Sequence, residues 1–313
     1  MDSMPAGLRS KAEALAEGMD LRTLTREAAA VSEAYRTRTG EGKRLVTDDA
    51  GAAAYACARM PATYAAARRA LSCSCPEGEA FRTILDCGAG TGAMTLAALS
   101  LFASDEATCL EREAAMRRVG EQLTADAVCP VRWAAFDMRT DQLPRAELVM
   151  EGYMLGELAE EERVPAALRL WEAAERMLLL VEPGTPQGYR NLMAVRTALL
   201  ERGAHTAAPC AGDGACGITD GDWCHFSVRV ERTKLMKRLK GGDAPFEDEK
   251  FCFLALTREQ RPAAGARILR HPQVDKGRVT LTLCTASGIE TRGVTKKDPL
   301  WKRARKAQWG ETI

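Results

Sequence analysis

Three thiols stand on a stretch of chain that has little to bury. Residues 208–226 read APCAGDGACGITDGDWCHF, with five residues between Cys210 and Cys216 and seven between Cys216 and Cys224. Glycines and aspartates make this a loop. Three thiolates and one further ligand can hold a zinc ion or an iron–sulfur cluster. Zinc sites often use two-residue knuckles, and the spacing here is looser. Spacing alone leaves a cluster, zinc and no metal all open. Cys284, in LTLCTASG, ends a strand before a turn, where its side chain can be aimed at a neighbouring loop. His225 could replace one cysteine, and His205 is close in sequence. Cys57, Cys87, Cys109, Cys129 and Cys252 lie in apolar or helical settings and read as small buried hydrophobes. Cys73 and Cys75 lie close together without a second pair.

A second constellation is ILDCGAGTG, with Asp86 at a strand end and then Gly88, Gly90 and Gly92. Such a turn lets backbone approach a ligand and aims the next helix N-terminus at it. The glycines alone fit a dinucleotide fingerprint as well. The acids favour S-adenosyl-L-methionine instead. Asp86 would face the amino-acid end of that cofactor, Glu111 would accept its ribose hydroxyls, and Asp137 would lie near its adenine amine. The alternative is a tight turn with three unrelated acids. A reacting group is harder to find. EGYMLGEL after the fourth strand offers Tyr153 and Glu157, but there is no Asn-Pro-Pro-Tyr and no Pro-Cys pair. Tyr153 serves stacking and packing equally well.

The elements that must hold these residues follow from periodicity. LRSKAEALAEGM and AAAYACARMPATYAAARRAL are Ala-rich and helical, with YRTRTGEGKRL as the loop between them. RTILDCGAG, ATCLERE, VRWAAFDMR, AELVMEGYM and RMLLLVEPG are strands separated by helices, which predicts a parallel sheet covered on both faces. After the cysteine loop the pattern turns β-rich. The expected fold class is α/β, with a division into residues 1–80 (helical), 81–258 (Rossmann-like, with a cysteine-rich insert at about 205–245) and 259–313 (a β-rich, basic extension).

The chain has 313 residues, 46% hydrophobic and 28% charged, the balance of a globular protein. No apolar run approaches the roughly 20 residues of a membrane helix. The first residues, MDSMPAGLRSKAEALAEGMD, lack an apolar signal core and are too acidic for a mitochondrial presequence, so a cytoplasmic monomer with reduced cysteines is expected. The net charge of +1 hides an asymmetry. Residues 225–313 hold 20 Lys+Arg against 10 Asp+Glu, net +10, and residues 1–224 hold 24 against 33, net −9. The C-terminal part therefore either meets an anionic partner or is a solvated basic face.

Taken together, the motifs resemble one family, the methyltransferase-like assembly factors of the mitochondrial small ribosomal subunit and their bacterial relatives. The resemblance rests on EAYRTRTGEG, AYACARMPATYAA, ILDCGAGTGAMTLAA, LEREAAM, GYMLGEL, LVEPGTPQGY, the cysteine loop with WCHFSVRVER, FEDEKFCFLAL and LTLCTASG…WKRARKAQWG, in order over roughly residues 30–310. It implies a class I S-adenosyl-L-methionine methyltransferase fold and small-subunit rRNA as partner. It also implies a 4Fe-4S cluster on Cys210, Cys216, Cys224 and Cys284, with zinc as the alternative. The family often has Pro-His after the first of these cysteines and Pro after the second, where this chain has Ala211-Gly212 and Gly217. Methyl transfer is one function the family implies, and assembly without turnover is the other. The cluster would also join the basic segments RTKLMKRLK and WKRARKAQW into one surface.

Overall fold

In the computed structural model the described residues are 2–37, 46–219, 221–261 and 265–313. The loop expected at residues 35–45 falls mostly outside them, and residues 35–37 end a helix. The N-terminal part is helical as expected: α1 (Ala6–Ala14), α2 (Leu21–Thr37), α3 (Asp49–Ala58) and α4 (Met60–Ser74). Asp48 caps α3 by accepting from the Gly51 amide at 2.8 Å, and Pro61 opens α4 where its missing N–H costs nothing. Both helices are alanine-rich on nearly all sides because both are enclosed.

The sheet begins at β1 (Thr83–Cys87), followed by α5 (Ala93–Leu99), β2 (Glu106–Leu110), α6 (Ala114–Thr124), β3 (Val131–Ala134) and β4 (Ala146–Gly152). Then come α7 (Glu160–Ala173), β5 (Ala174–Pro183) and α8 (Pro186–Leu200). Short β6 (His205–Ala208), β7 (Phe226–Glu231), α9 (Lys234–Lys240) and β8 (Phe246–Thr257) complete this part. Strand order is β3-β2-β1-β4-β5-β8-β6, with β7 also on β8. The first five strands are parallel. The parallel sheet expected of these five strands is present, and at its far side β8 runs antiparallel to β5, β6 and β7. β8 returns antiparallel beside β7 because α9, the helix between them, packs on α2 and α3 and does not cross the sheet. Five parallel strands in the order 3-2-1-4-5, extended by an antiparallel strand, define the class I methyltransferase fold. One core packs α3–α6 against one face of the sheet, and a second packs α7 and α8 against the other.

A second sheet, order β10-β11-β12 with β9 on β11, follows: β9 (Arg267–Ile268), β10 (Gln273–Asp275), β11 (Arg278–Thr285) and β12 (Gly288–Thr295). Short α10 (Trp301–Ala304) packs on β11 and β12 over a small core of Ile268, Val279, Leu281, Leu283, Val294 and Ala304. The basic segment α9 instead packs on α2 and α3 through Met236 and Leu239. The two basic segments, α9 and α10, are thus carried by different layers of the fold. Trp309 anchors the tail, edge-on to His225 and His271 at centroid distances of 5.0 and 4.9 Å.

Candidate cofactor pocket and candidate thiol centre

The crevice between β1 and β4 is where strand order reverses, the position at which open α/β sheets receive ligands. Gly88, Gly90, Glu111, Asp137, Tyr153 and Glu157 line one cavity of about 120 Å³ there. Gly90 has φ 58°, in the left-handed region, and a Cβ on it would point at Met116 and the Tyr55 ring. Glu111 holds the loop, with its Oε2 accepting from the Gly90 amide at 2.9 Å and its Oε1 from the Glu113 amide at 2.7 Å. Asp137 closes a turn by accepting from the Arg139 amide at 2.9 Å. Met154 narrows the cavity: a Cβ on Gly88 would lie 3.0 Å from its sulfur.

Asp86 and Gly92 lie behind this cavity. Asp86 is 1% exposed, and its Oδ2 accepts from the Thr95 amide at 3.0 Å and the Thr95 hydroxyl at 2.7 Å. It thus fastens the start of α5. Burial pushes its carboxyl up to about 6, and Oδ1 has no partner. Gly92 is the cap of α5 at φ 82°, with the Trp133 ring 3.1 Å from where a Cβ would be.

Tyr153 has φ 65°, which is unusual for a tyrosine and costs on the order of 1–3 kcal/mol. Its hydroxyl donates to Glu249 Oε1 at 3.1 Å, and Arg59 lies 4.9 Å over its ring. Arg59 also grips Glu249 with two hydrogen bonds of 2.7 Å. Sequence reading missed this Arg59–Glu249–Tyr153 wall, because residues 96 and 94 positions apart give no local signal. Beyond it lies a larger cavity of about 640 Å³, lined by Arg59, Glu182, Gln187, Asn191, Arg190 and Glu249 among others. Tyr55 borders both cavities.

Carboxyls crowd the ends of β4 and β5. Burial, then the charge of Glu111, pushes Glu157 up to about 8. Burial also raises Glu151 and Glu182, and the charge of Glu182 raises Glu151 further. A carboxyl raised in the fold stabilises it below the unfolded value, and that contribution is lost as pH climbs through the folded value. The melting temperature should therefore fall as pH rises from about 4.5 to 8. Glu157→Gln should flatten that slope in a pH series of thermal melts; an unchanged slope would refute the assignment.

The cysteine loop leaves the sheet after Ala208, paired with Ala255, and returns at Phe226, paired with Phe251. Cys252, Phe253 and Leu254 of β8 lie between these pairings and border one cavity of about 40 Å³ beside the loop. Cys210, Cys216 and Cys224 border that cavity, and β11 brings Cys284 to it. Cys252 borders it too, with its thiol donating to the Cys224 carbonyl at 3.1 Å. From sequence Cys252 has only a packing role, and a strand-centre position carries no sign of what lies opposite. Neither histidine lines the cavity: His205 pairs with Asp213 at 2.8 Å, and His225 stacks on Trp223. Among the described residues no group of three His, Cys, Asp or Glu is arranged to hold a single metal ion. Burial pushes Cys210 up to about 11 against the pull of Arg196. Arg196 lines the same cavity, and its Nε is buried with no hydrogen-bond partner. Four convergent thiols beside an unpaired buried cation fit an anionic thiolate-held group.

The fold and its glycine-loop crevice define a methyltransferase-like protein. The comparisons go one step further. The chain belongs to the family of the mitochondrial small ribosomal subunit protein Rsm22, whose model matches residues 49–313. It is 25% identical to the human mitochondrial ribosome assembly protein METTL17, over 91% of this chain and 67% of that protein. It is 23% identical to the mitochondrial Rsm22-cox11 tandem protein 2 of Schizosaccharomyces pombe, over 73% of this chain and 38% of that protein. Among solved structures it is similar to a precorrin-6y C5,15-methyltransferase from Geobacter metallireducens (TM-score 0.41, 15% identity, 60% of this chain and 87% of that one). It is also similar to the Synechocystis magnesium protoporphyrin IX methyltransferase ChlM with bound SAM (TM-score 0.37, 14% identity, 56% and 69%). Both structural likenesses are loose, and the fold assignment rests on strand order.

These relatives correct the cytoplasmic expectation, because the family and the matched proteins are mitochondrial. The physical reason lies in the N-terminal residues themselves. Met4 and Ala12 are buried in the helical layer, and Asp2 pairs with Arg68 at 3.1 Å. Their composition serves packing, so it is no guide to location. No helix among the described residues is long and apolar enough to cross a membrane.

Proposed function

We propose that this chain is an S-adenosyl-L-methionine-binding, methyltransferase-like factor that acts on the small ribosomal subunit through its rRNA and carries a 4Fe-4S cluster on Cys210, Cys216, Cys224 and Cys284. The observation that carries the reading is the β1/β4 crevice, where Gly88, Gly90, Glu111 and Asp137 meet in one cavity. Glu111 and Asp137 would hold the ribose and adenine. Asp86 would act from behind, by fixing the helix whose N-terminus faces the cofactor. The cluster would join the cysteine loop to the second sheet. The proposal keeps the three-part division at residues 80 and 258, and it treats the protein as a monomer.

One observation favours binding without turnover. The Tyr153 hydroxyl is engaged by Glu249 and its ring is covered by Arg59, so this candidate is not free to take a proton from an acceptor. Glu157 is then the remaining candidate base at the cavity. Incorporation of labelled methyl groups into immature small subunits separates the two readings.

Cofactor binding is tested by thermal shift. At one hundred times its dissociation constant, S-adenosylmethionine should stabilise the protein by about 2.7 kcal/mol. Gly90→Val should abolish the shift and Glu111→Ala should reduce it. A nicotinamide dinucleotide that stabilises the protein where S-adenosylmethionine does not would overturn the reading.

A further inference from the structure

We propose that Arg196 and Arg267 are built-in counter-cations, and Tyr189 a hydroxyl donor, of an anionic tetrathiolate centre formed by Cys210, Cys216, Cys224 and Cys284. The inference rests on the cluster reading above and says which other side chains that centre needs. Tyr189 and Arg196 are seven residues apart on α8, two turns along one face, and both line the thiol cavity. The Tyr189 oxygen is 3.3 Å from the Cys216 sulfur. Arg196 is 4% exposed, spends one nitrogen on the Gly212 and Gly214 carbonyls at 3.0 and 2.8 Å, and leaves its Nε buried without a partner. Arg267 is 3% exposed and stands opposite Cys284 in the β9–β11 register. Among the described residues its guanidinium hydrogen-bonds to carbonyls, those of Pro209, Gly310 and Cys73, at 3.3, 2.9 and 3.2 Å.

A guanidinium stays charged at any ordinary pH, and a buried charge is tolerated when an opposite charge sits beside it. Neither arginine has a carboxylate partner among the described residues. If the four thiols stay protonated, two buried cations lack a counter-charge. If the thiols hold a metal group they are thiolates, and the pair of cations offsets their negative charge. Hydrogen bonds and cations around such a centre also favour its more negative, reduced form.

The test uses the full chain, reconstituted anaerobically with iron and sulfide, as wild type, Arg196→Gln, Arg196→Lys and Tyr189→Phe. Arg196→Gln keeps a donor for the two glycine carbonyls but loses the charge. It should lower the reduction potential by about 59 mV, a tenfold shift for a one-electron couple. It should also release iron to a chelator roughly 10- to 100-fold faster. Arg196→Lys should keep most of the wild-type potential. In the iron-free protein, Arg196→Gln should melt no lower than wild type, because the cation it removes is then uncompensated. A purely structural arginine would instead lower the iron-free and iron-loaded melting temperatures alike, and that result overturns the proposal. So does a wild-type potential and release rate in Arg196→Gln. Should Arg196→Gln fail to fold, Tyr189→Phe decides alone: faster iron release supports the proposal and an unchanged rate overturns it. Wild-type protein that takes up no cluster sinks the cluster reading itself, a different failure from loaded variants that behave like wild type.

Discussion

Cys224→Ser is expected to strip the protein of iron. A four-thiolate cluster should give wild-type protein about four irons per chain and broad visible absorption. Cys210→Ser, Cys216→Ser and Cys284→Ser should do the same, and each should loosen the second sheet, because Cys284 would tie β11 to the cysteine loop. Cys252→Ser is the demanding control. Its sulfur borders the same cavity, but its hydrogen bond to the Cys224 carbonyl and its place in the centre of β8 give it a packing role. It should keep its iron. Iron analysis with visible spectra decides the matter. Stoichiometric zinc without iron, or iron lost from Cys252→Ser and kept by Cys284→Ser, would show the assigned ligand set to be wrong.

Neutralising Lys302, Arg303 and Lys306 together should weaken binding to small-subunit rRNA by roughly 10- to 100-fold at low salt. These three side chains edge an open groove of about 1410 Å³ that also holds Arg69, Arg176, Arg261 and Arg267. The latter four are engaged by protein groups: Arg176 and Arg261 bind Glu79, Arg69 lies by Asp2, and Arg267 binds carbonyls. The α10 bases have no ion pair among the described residues, so phosphates are the partners they are free to meet. Three lost phosphate contacts on single-stranded RNA should reduce the salt slope by about 2. Neutralising Lys234, Lys237, Arg238 and Lys240 on α9 should change much less, because that helix packs on α2 and α3. A salt titration of the three proteins is the measurement. Equal slopes would make the groove a solvated face.

The parallel half of the sheet was legible because each strand is a short apolar run followed by a helix with its own period. The glycine loop was legible because a positive φ at three nearby positions demands glycine. The Cys210, Cys216, Cys224 and Cys284 set came from family resemblance, and spacing alone left it open. What stayed hidden is non-local. β6 is four residues long and reads as a strand only once β8 lies beside it. In α9 all seven residues are apolar or basic in no clear order, and two buried side chains, Met236 and Leu239, fix its face. Arg59, Glu249 and Tyr153 come from three distant segments, as do Arg196, Arg267 and the thiols. A buried arginine looks like any other arginine in sequence, and only packing shows that its counter-charge is missing.

The most direct test of the account is crosslinking of the protein to RNA in cells, followed by mapping of the crosslinked nucleotides. The account predicts crosslinks concentrated on small-subunit rRNA, carried by peptides at the groove beneath α10, and lost when Lys302, Arg303 and Lys306 are neutralised. Crosslinks spread over RNAs in proportion to their abundance, or unchanged in that variant, would contradict it.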